Sequence, residues 1–436
     1  MSSQYRECRT AEAGIGMSYY LSDIDGTGGR LKKDPEDFVV KEISSKPEPV
    51  ANGRYAIAEV VSKNWETNRL VRLMSRSLGI SREKIGFAGT KDKRAVTTQL
   101  MSFECRVDTL KRIDLKDVEI KDAYTARRGI QIGDLKGNSF VVKVRECTAP
   151  IDSIPETLES ISSVIEEARG FPNYFGVQRF GVVRPVTHKV GELIVRGDIE
   201  GAVRCYVSDP ALYEAEEAAN VRRMLSETDN WSSVVNDMPD SLSYEKIMVE
   251  HIVSSPGDWK GAVEKLPKNL QMMFVHAYQS YLFNRMLSER MKKGLPLNVP
   301  VLGDTVIPLD ADKIPQHENP VLTTPNNIDL VAKLVRSGRA FITISLFGSE
   351  SRIAEGEMGD IERKVIEEEG LTEKDFIIPG LPHCSSKGSR REILCPVTGL
   401  SHRMTETGYE ISFSLPKGNY ATCLLREFMK SEMDRY

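Results

Sequence analysis

The 436-residue chain lacks several features that would assign it to a familiar class. Its 7 cysteines are scattered and form no Cys-x-x-Cys pair, which argues against a disulfide framework or a zinc site and favours small buried side chains. No apolar run approaches the ~20 residues that a membrane span needs, and the first residues contain no apolar core of an export signal. We therefore expect a cytoplasmic protein that does not insert into a membrane.

Size and charge leave more than one class open. A chain of this length exceeds one ordinary compact core and predicts two or three domains. The net charge of −4 is not that of a typical nucleic-acid binder, but phosphate contacts depend on local patches rather than on the sum. Basic residues cluster in three stretches, at 82–94, 127–145 and 387–391. Each cluster is also compatible with an ordinary solvated face.

The periodicity of apolar residues predicts an α+β protein. Strands are expected at 37–43, 55–61, 138–144, 340–346 and 409–415. Helices are expected at 68–78 with Thr67 as cap, at 153–168, at 213–225, at 270–291 and at 421–430. Helical signals dominate between about 188 and 293. The pattern predicts a sheet domain formed by both ends of the chain and interrupted by a more helical insertion.

One segment combines a glycine-bounded turn with a carboxylate among cations, in the run Gly-Phe-Ala-Gly-Thr-Lys-Asp-Lys-Arg-Ala at 86–95. Cations beside Asp92 favour its ionised form, which suits a nucleophile or base at neutral pH. The spacing is not that of a phosphate-binding loop. A surface turn with a local Lys-Asp ion pair has the same residues, so spacing alone leaves both interpretations open.

A second segment, Asn-Tyr-Phe-Gly-Val-Gln-Arg-Phe-Gly at 173–181, packs three aromatic residues, two amides and an arginine between glycines. Aromatic faces can stack on an unstacked base, and amides can hydrogen-bond to its edge. An aromatic core turn is the alternative interpretation. Two weaker patterns are the entry to a strand at 32–38 and the start of the last helix at 418–422, which could hold a phosphate.

Taken together, the four segments resemble the TruD family of tRNA pseudouridine synthases. The family signature is similar to the Ala-Gly-x-Lys-Asp-x-x-Ala-x-Thr-x-Gln run at 88–99, and the aromatic run at 173–181 is complete. A Pro-Glu-Asp-Phe-x-Val run occurs at 35–40, and Leu-Pro-x-Gly-x-aromatic-Ala-Thr occurs at 415–422. The resemblance brackets nearly the whole chain and is weakest between about 200 and 380.

The resemblance implies a fold and an activity. The fold is α+β: a pseudouridine synthase catalytic domain with a mixed, largely antiparallel sheet, interrupted by a mainly helical α+β insertion domain. The expected domains are 1–185 and 381–436 for the catalytic part and 186–380 for the insertion, with RNA held in a cleft between them. The implied reaction converts uridine to pseudouridine in tRNA, typically at position 13, with neither a metal nor an organic cofactor.

The resemblance also assigns roles to residues. Asp92 is the expected nucleophile and Lys32 an active-site cation, while Phe175 is expected to stack on the target base. The other expected substrate-binding residues are Phe38, Lys91, Asn173, Arg179 and Tyr420. The family usually has Phe at the position of Tyr420, a change that preserves stacking.

Pseudouridine formation breaks the C1′–N1 bond, rotates the base and joins C5 to C1′, and one carboxylate can serve throughout. Glycosidases use carboxylates against similar charge at an anomeric carbon. The base must leave its stack, which accounts for the aromatic and amide groups. Two other functions remain open: an RNA-binding protein without catalysis, and a metal-dependent nuclease or phosphotransferase that uses Asp92 with Asp34 or Asp37.

Overall fold

The computed structural model describes residues 5–211, 214–310 and 314–436. Its helices are α1 Thr67–Leu78, α2 Ile154–Ala168, α3 Thr187–Val195, α4 Ile199–Ser208, α5 Glu216–Glu227, α6 Ser243–Ser254, α7 Trp259–Glu264, α8 Lys268–Lys292, α9 Ile328–Arg336, α10 Gly356–Glu368 and α11 Ala421–Met429. Its strands are β1 Arg6–Glu7, β2 Tyr19–Tyr20, β3 Gly28–Arg30, β4 Phe38–Ser44, β5 Tyr55–Lys63, β6 Ile85–Phe87, β7 Val96–Phe103, β8 Val118–Ala126, β9 Leu135–Cys147, β10 Phe171–Pro172, β11 Thr305–Pro308, β12 Val321–Leu322, β13 Ala340–Leu346, β14 Ser389–Glu392, β15 Leu394–Cys395, β16 Thr398–Thr405 and β17 Gly408–Pro416.

The chain divides into two compact units. The sheet unit comprises Ile24–Phe171, Cys395–Ser431 and Arg435–Tyr436. The helical unit comprises Met1–Asp23, Pro172–Leu394 and Glu432–Asp434. The sequence placed the insertion at 186–380, whereas the helical unit also includes the first residues of the chain and the aromatic run at 173–181.

Nine of the described strands form the sheet of the sheet unit, in the order β16-β17-β9-β4-β7-β5-β8, with β3 paired to β9 and β6 paired to β7. The β4–β7 pair is parallel, and the other pairs of this sheet are antiparallel. The residues of β4 alternate between the two faces of the sheet. Phe38 and Val40 are buried, whereas Val39 and Lys41 are more exposed, as expected for a half-buried strand. The predicted mixed, largely antiparallel sheet is therefore present.

Helix α1 covers part of this sheet through apolar residues at helical spacing. Leu70, Val71, Met74 and Leu78 are buried in one cluster with residues of β5 and β7. The helix ends where Gly79 adopts a left-handed φ of 67°. The prediction that Thr67 caps this helix was wrong, because the carboxylate of Glu66 accepts from the backbone N–H groups of Asn68 and Arg69.

The helical unit is built around α8, which packs against α3, α10 and β13. Because much of α8 is buried, polar side chains on its buried face are paired inside the protein. The guanidinium of Arg290 donates to both carboxylate oxygens of Asp304, at 2.6 and 2.9 Å, and to the carbonyl of Pro296. A second sheet in this unit has the strand order β12-β11-β13-β14.

Most element predictions agree with the structure to within a few residues, and the strand at 340–346 has the predicted bounds. The helix predicted at 213–225 begins at Glu216 and ends at Glu227, while Tyr213 lies outside the described residues. Within the described part of the chain, no helix is both long and apolar enough to cross a membrane.

Candidate active site

The parallel pairing of β4 with β7 determines which loops of the sheet unit meet. Val39 of β4 lies opposite Val96 of β7, so both strands start at the same end of the sheet. The segment before β4 carries Lys32, and the segment before β7 carries Asp92. The ammonium of Lys32 lies 3.6 Å from the Oδ2 atom of Asp92. Lys32 and Asp92 are therefore neighbours, although they are distant in sequence, because each lies in a short segment that leads into one strand of the parallel pair β4 and β7.

Lys32 is held in an uncommon backbone conformation. Its φ is 54°, in the left-handed region that non-glycine residues rarely adopt. Its ammonium lies 4.4 Å from the centre of the Phe38 ring, a cation–π contact. Such backbone strain often occurs at functional sites, where the surrounding structure maintains it. Here it accompanies a cation placed between an aromatic ring and an accessible carboxylate, since the Asp92 side chain is 46% exposed.

Lys91 does not face solvent as a substrate-binding lysine would. Its ammonium lies 2.6 Å from the Oε2 atom of Glu42, and the two side chains are 5% and 1% exposed. Its backbone N–H donates to the hydroxyl of Thr67 at 2.9 Å. Thr67 therefore holds the Asp92 segment instead of capping α1.

The carboxylates proposed above as metal partners of Asp92 have other contacts. Arg145 donates through Nε and Nη2 to the Asp37 carboxylate at 2.6–2.9 Å, and Asp37 also accepts from the backbone N–H of Asp34. The carboxylate of Asp34 lies 3.6 Å from Arg145. These contacts fix the turn that leads into Phe38 and occupy the Asp37 oxygens.

In the helical unit, the side chain of Asn173 binds the end of β14, and its backbone binds the residue that follows this strand. Its amide nitrogen donates to the carbonyl of Glu392 at 2.9 Å, and its amide oxygen accepts from Nη2 of Arg391 at 2.7 Å. Its backbone N–H donates to the carbonyl of Ile393. Asn173 consequently orients Arg391, a residue that the sequence showed only as a member of a basic cluster.

The Phe175 ring is covered by neighbours within the same unit. The guanidinium of Arg391 lies 4.3 Å from the ring centre and that of Arg179 lies 5.4 Å from it. Phe283 packs edge-on against the ring, and Phe175 is only 5% exposed. Guanidinium planes can themselves stack on bases, so the chemistry presented here is that of two arginines supported by an aromatic ring.

The remaining predicted site residue, Tyr420, follows β17 through a turn in which Gly418 has a φ of 82°. Tyr420 is the N-cap of α11 and is partly exposed. The predicted final helix is thus confirmed, with Lys430 at its end in a left-handed conformation.

The adjacent residues His383 and Cys384 have the side chains of a Cys/His catalytic pair but form no reactive centre. Burial raises the pKa of Cys384 to about 11, so its thiol stays protonated at neutral pH. The ring of His383 is hydrogen-bonded to Gln271 at 2.8 Å. Among the described residues, no group of three His, Cys, Asp or Glu side chains has the arrangement of a metal site.

A buried histidine beside the aromatic run predicts a pH-dependent stability. His188 packs against Phe180 and Tyr281, and its burial lowers its pKa to about 4. An unfolded histidine has a pKa near 6.5, so the unfolded chain takes up a proton first as the pH falls. We expect a loss of about 3 kcal/mol of unfolding free energy between pH 6.5 and pH 4 from this residue.

Urea titrations at several pH values would measure this loss. His188→Gln should flatten the profile over that interval, whereas His317→Gln should leave it unchanged. An unaltered profile in His188→Gln would contradict the assignment.

Sequence reasoning did not identify Glu42 or Arg391 as site residues. Glu42 had a detectable signal, because it continues the inward positions Phe38 and Val40 of β4 and an inward carboxylate needs a partner. Arg391 had no comparable signal, since its contacts join segments more than two hundred residues apart.

The chain was compared with protein-family models, with curated proteins and with solved structures. The family model for tRNA pseudouridine synthase D (TruD) matches residues 14–428. The chain is 42% identical over 428 residues to a "Probable tRNA pseudouridine synthase D" of Methanococcoides burtonii, covering 97% of each protein. It is 39% identical to the protein of the same name from Methanosarcina acetivorans, covering 98% of each. A Methanosarcina mazei crystal structure with the same assignment superposes with a TM-score of 0.85 at 38% identity, covering 98% of this chain and 100% of that one.

Proposed function

Because the chain belongs to the TruD family of tRNA pseudouridine synthases, which isomerise uridine in tRNA, we propose that Asp92 is its catalytic carboxylate. The observation that carries this proposal is the exposed carboxylate of Asp92 beside the ammonium of Lys32. We further propose uridine 13 of tRNA as the target and the cytoplasm as the place of action.

The chemistry requires a group that acts first on the sugar and then on the base. A carboxylate can attack C1′ and displace N1 of the uracil, and it is released again when C5 bonds to C1′; alternatively it can remove the C2′ proton as the uracil leaves to form a glycal, and return that proton when C5 bonds to C1′. In either route the freed carboxylate can then accept the proton from C5. The ammonium of Lys32 lies 3.6 Å from Asp92 and attracts its carboxylate electrostatically. Phe38, which Lys32 contacts, and Tyr420 are the proposed aromatic neighbours of the flipped uridine.

For the helical unit we propose RNA contact through Arg179 and Arg391, which Phe175 and Asn173 hold in place. Arginines combine charge for a phosphate with a plane for a base. This assignment makes Phe175 a support for the two arginines, while the base itself stacks elsewhere.

Incubation of the protein with an unmodified tRNA transcript, followed by chemical mapping of pseudouridine, tests the proposed function. We expect conversion at uridine 13, with equal rates in buffer and in excess EDTA. Conversion at a different position would refute the target, and loss of the reaction in EDTA would favour metal-dependent chemistry.

Helix α1 offers a surface for the tRNA backbone, which we call the arginine ridge: Arg69, Arg72 and Arg76. All three are exposed, no acidic residue occurs within α1, and α1 is joined to the Asp92 segment through Thr67. Within the described ranges, neither Arg72 nor Arg76 forms an ion pair. Arginines without an acidic partner on one helix face can bind the phosphates of an RNA backbone.

We expect Arg72→Ala/Arg76→Ala to weaken tRNA binding and to reduce the slope of log K against log salt concentration by about 1–2. Filter binding at several salt concentrations would measure both. Lys333→Ala/Arg336→Ala on α9 removes the same charge from another exposed helix and serves as control. Equal effects in the two variants would show that net charge, not the ridge, determines the binding.

A further inference from the structure

The segment that carries Asp92 has little backbone support. Among the described residues, no backbone–backbone hydrogen bond involves residues 88–94, although β6 before them and β7 after them are paired. Side-chain contacts must therefore fix this segment. The contact of Lys32 with Asp92 itself cannot be counted as support, because both groups take part in the proposed chemistry.

Three contacts of the described residues hold the segment from outside the reacting groups. The Lys91 ammonium pairs with Glu42, the Lys91 backbone N–H donates to Thr67, and Arg94 donates to the carbonyl of Lys33 at 3.0 Å. The Arg94 contact lies in an exposed region, where water competes for both partners. The pair of Lys91 and Glu42 is the ion pair among these contacts, and both of its side chains are shielded from water.

Because Lys91 and Glu42 are buried, each of their charges depends on the other for compensation. A buried charge without its counter-ion is strongly destabilised, so Lys91 is held where Glu42 can reach it. Two amide side chains lie near Glu42: Asn138 directly opposite it on β9, and Gln99 of β7, which lines the same cavity as Glu42. Among the described residues, the buried amide oxygen of Asn138 and the buried amide nitrogen of Gln99 have no hydrogen-bond partner, and neither side chain is hydrogen-bonded to Lys91 in place of Glu42.

Glu42 belongs to the same strand as Phe38, at the third inward position along β4. The strand therefore carries the aromatic contact of Lys32 at its start and the partner of Lys91 further along. Asp92 follows Lys91 directly in the chain, so an anchor at Lys91 limits the positions that the Asp92 carboxylate can reach.

We infer that Glu42 and Lys91 are positioning residues, whose buried ion pair fixes the Asp92 carboxylate for catalysis, and that Lys91 does not bind RNA. The inference rests on the proposed catalytic role of Asp92. A misplacement of about 1 Å can reduce a rate by roughly a hundredfold. Loss of the pair is therefore expected to lower kcat and to leave the KM for tRNA nearly unchanged.

The experiment must separate positioning from folding. Glu42→Gln alone leaves a buried ammonium without its counter-ion and can unfold the protein, so the informative variant is Glu42→Leu/Lys91→Met. Replacement of a buried ion pair by apolar side chains of similar size is often neutral for stability. We expect this double variant to melt near the wild-type temperature, with kcat reduced by about ten- to a hundredfold.

Limited trypsin digestion supplies a second readout. A loosened segment should be cut faster at Lys93 and Arg94, both of which are exposed, while the melting temperature stays the same. Glu410→Gln is the control, because it breaks the ion pair with Arg403 between β16 and β17 of the same sheet and leaves the pair of Lys91 and Glu42 intact. It should change neither kcat nor the rate of cleavage.

Two results would overturn the inference: a folded double variant with wild-type kcat, or one whose loss lies entirely in KM. The second result would restore Lys91 as an RNA contact. Failure of the proposed function is distinguishable, because it would appear as normal activity in a variant without the Asp92 carboxylate.

Discussion

Asp92→Asn is expected to reduce pseudouridine formation by about 10³-fold or more while the protein remains folded and binds tRNA. The substitution keeps the size of the side chain but removes the negative charge and the basic oxygen that the proposed mechanism uses at C1′ and C5. General acid–base catalysis alone contributes up to about 10⁴-fold, and removal of a nucleophile costs at least as much. Single-turnover assays with excess enzyme would measure the chemical step directly.

The structure predicts that this variant keeps its fold. The Asp92 side chain is about half exposed, and its contact with Lys32 is a partly exposed pair of small energetic value. Asp122→Asn on β8 is a suitable control, since it removes another exposed carboxylate from the same sheet unit. Wild-type turnover in Asp92→Asn would exclude Asp92 as the catalytic group.

Arg290→Met should have the largest effect on stability, about 3–5 kcal/mol of unfolding free energy, because it leaves Asp304 buried without its partner. Both side chains are fully buried. Asp304 also accepts from the backbone N–H of Val301, and Arg290 also donates to Pro296, so the pair connects the end of α8 to the segment before β11. Urea titration followed by circular dichroism would measure the loss.

A double variant distinguishes the cost of an orphaned charge from the value of the pair itself. Arg290→Met/Asp304→Leu should recover most of the stability, as apolar replacements of buried pairs often do. Arg403→Met, which breaks an exposed pair with Glu410, should cost less than about 1 kcal/mol. Equal losses in Arg290→Met and Arg403→Met would show that burial has no role here.

The sequence predicted elements best where periodicity was strong. β13 and α1 follow directly from alternating and helical patterns, and Gly79 marked the end of α1. The N-cap of α1 was misassigned because Glu66 and Thr67 are adjacent and only tertiary structure shows that the Thr67 hydroxyl is used by Lys91.

For the site, sequence and resemblance predicted Lys32, Phe38 and Asp92, and the structure places Lys32 in contact with the other two. The sequence did not predict in which direction these side chains point. A lysine beside an aspartate in a basic run looks exposed, yet Lys91 points to Glu42, which lies far away in the sequence. The coverage of Phe175 by Arg391 depends in the same way on a distant strand.

The order of strands in the sheet has a consequence for synthesis of the chain. β17 lies between β16 and β9, so residues 408–416 must be made before the sheet that carries Asp92 is complete. Until then β9, a long strand, has an unpaired edge, which can pair with other chains and aggregate. The ribosome thus releases Asp92 early and the strand that completes its sheet much later. A chain that ends within residues 172–394 would lack β16 and β17, so we expect it to be degraded rather than to act as a less active enzyme.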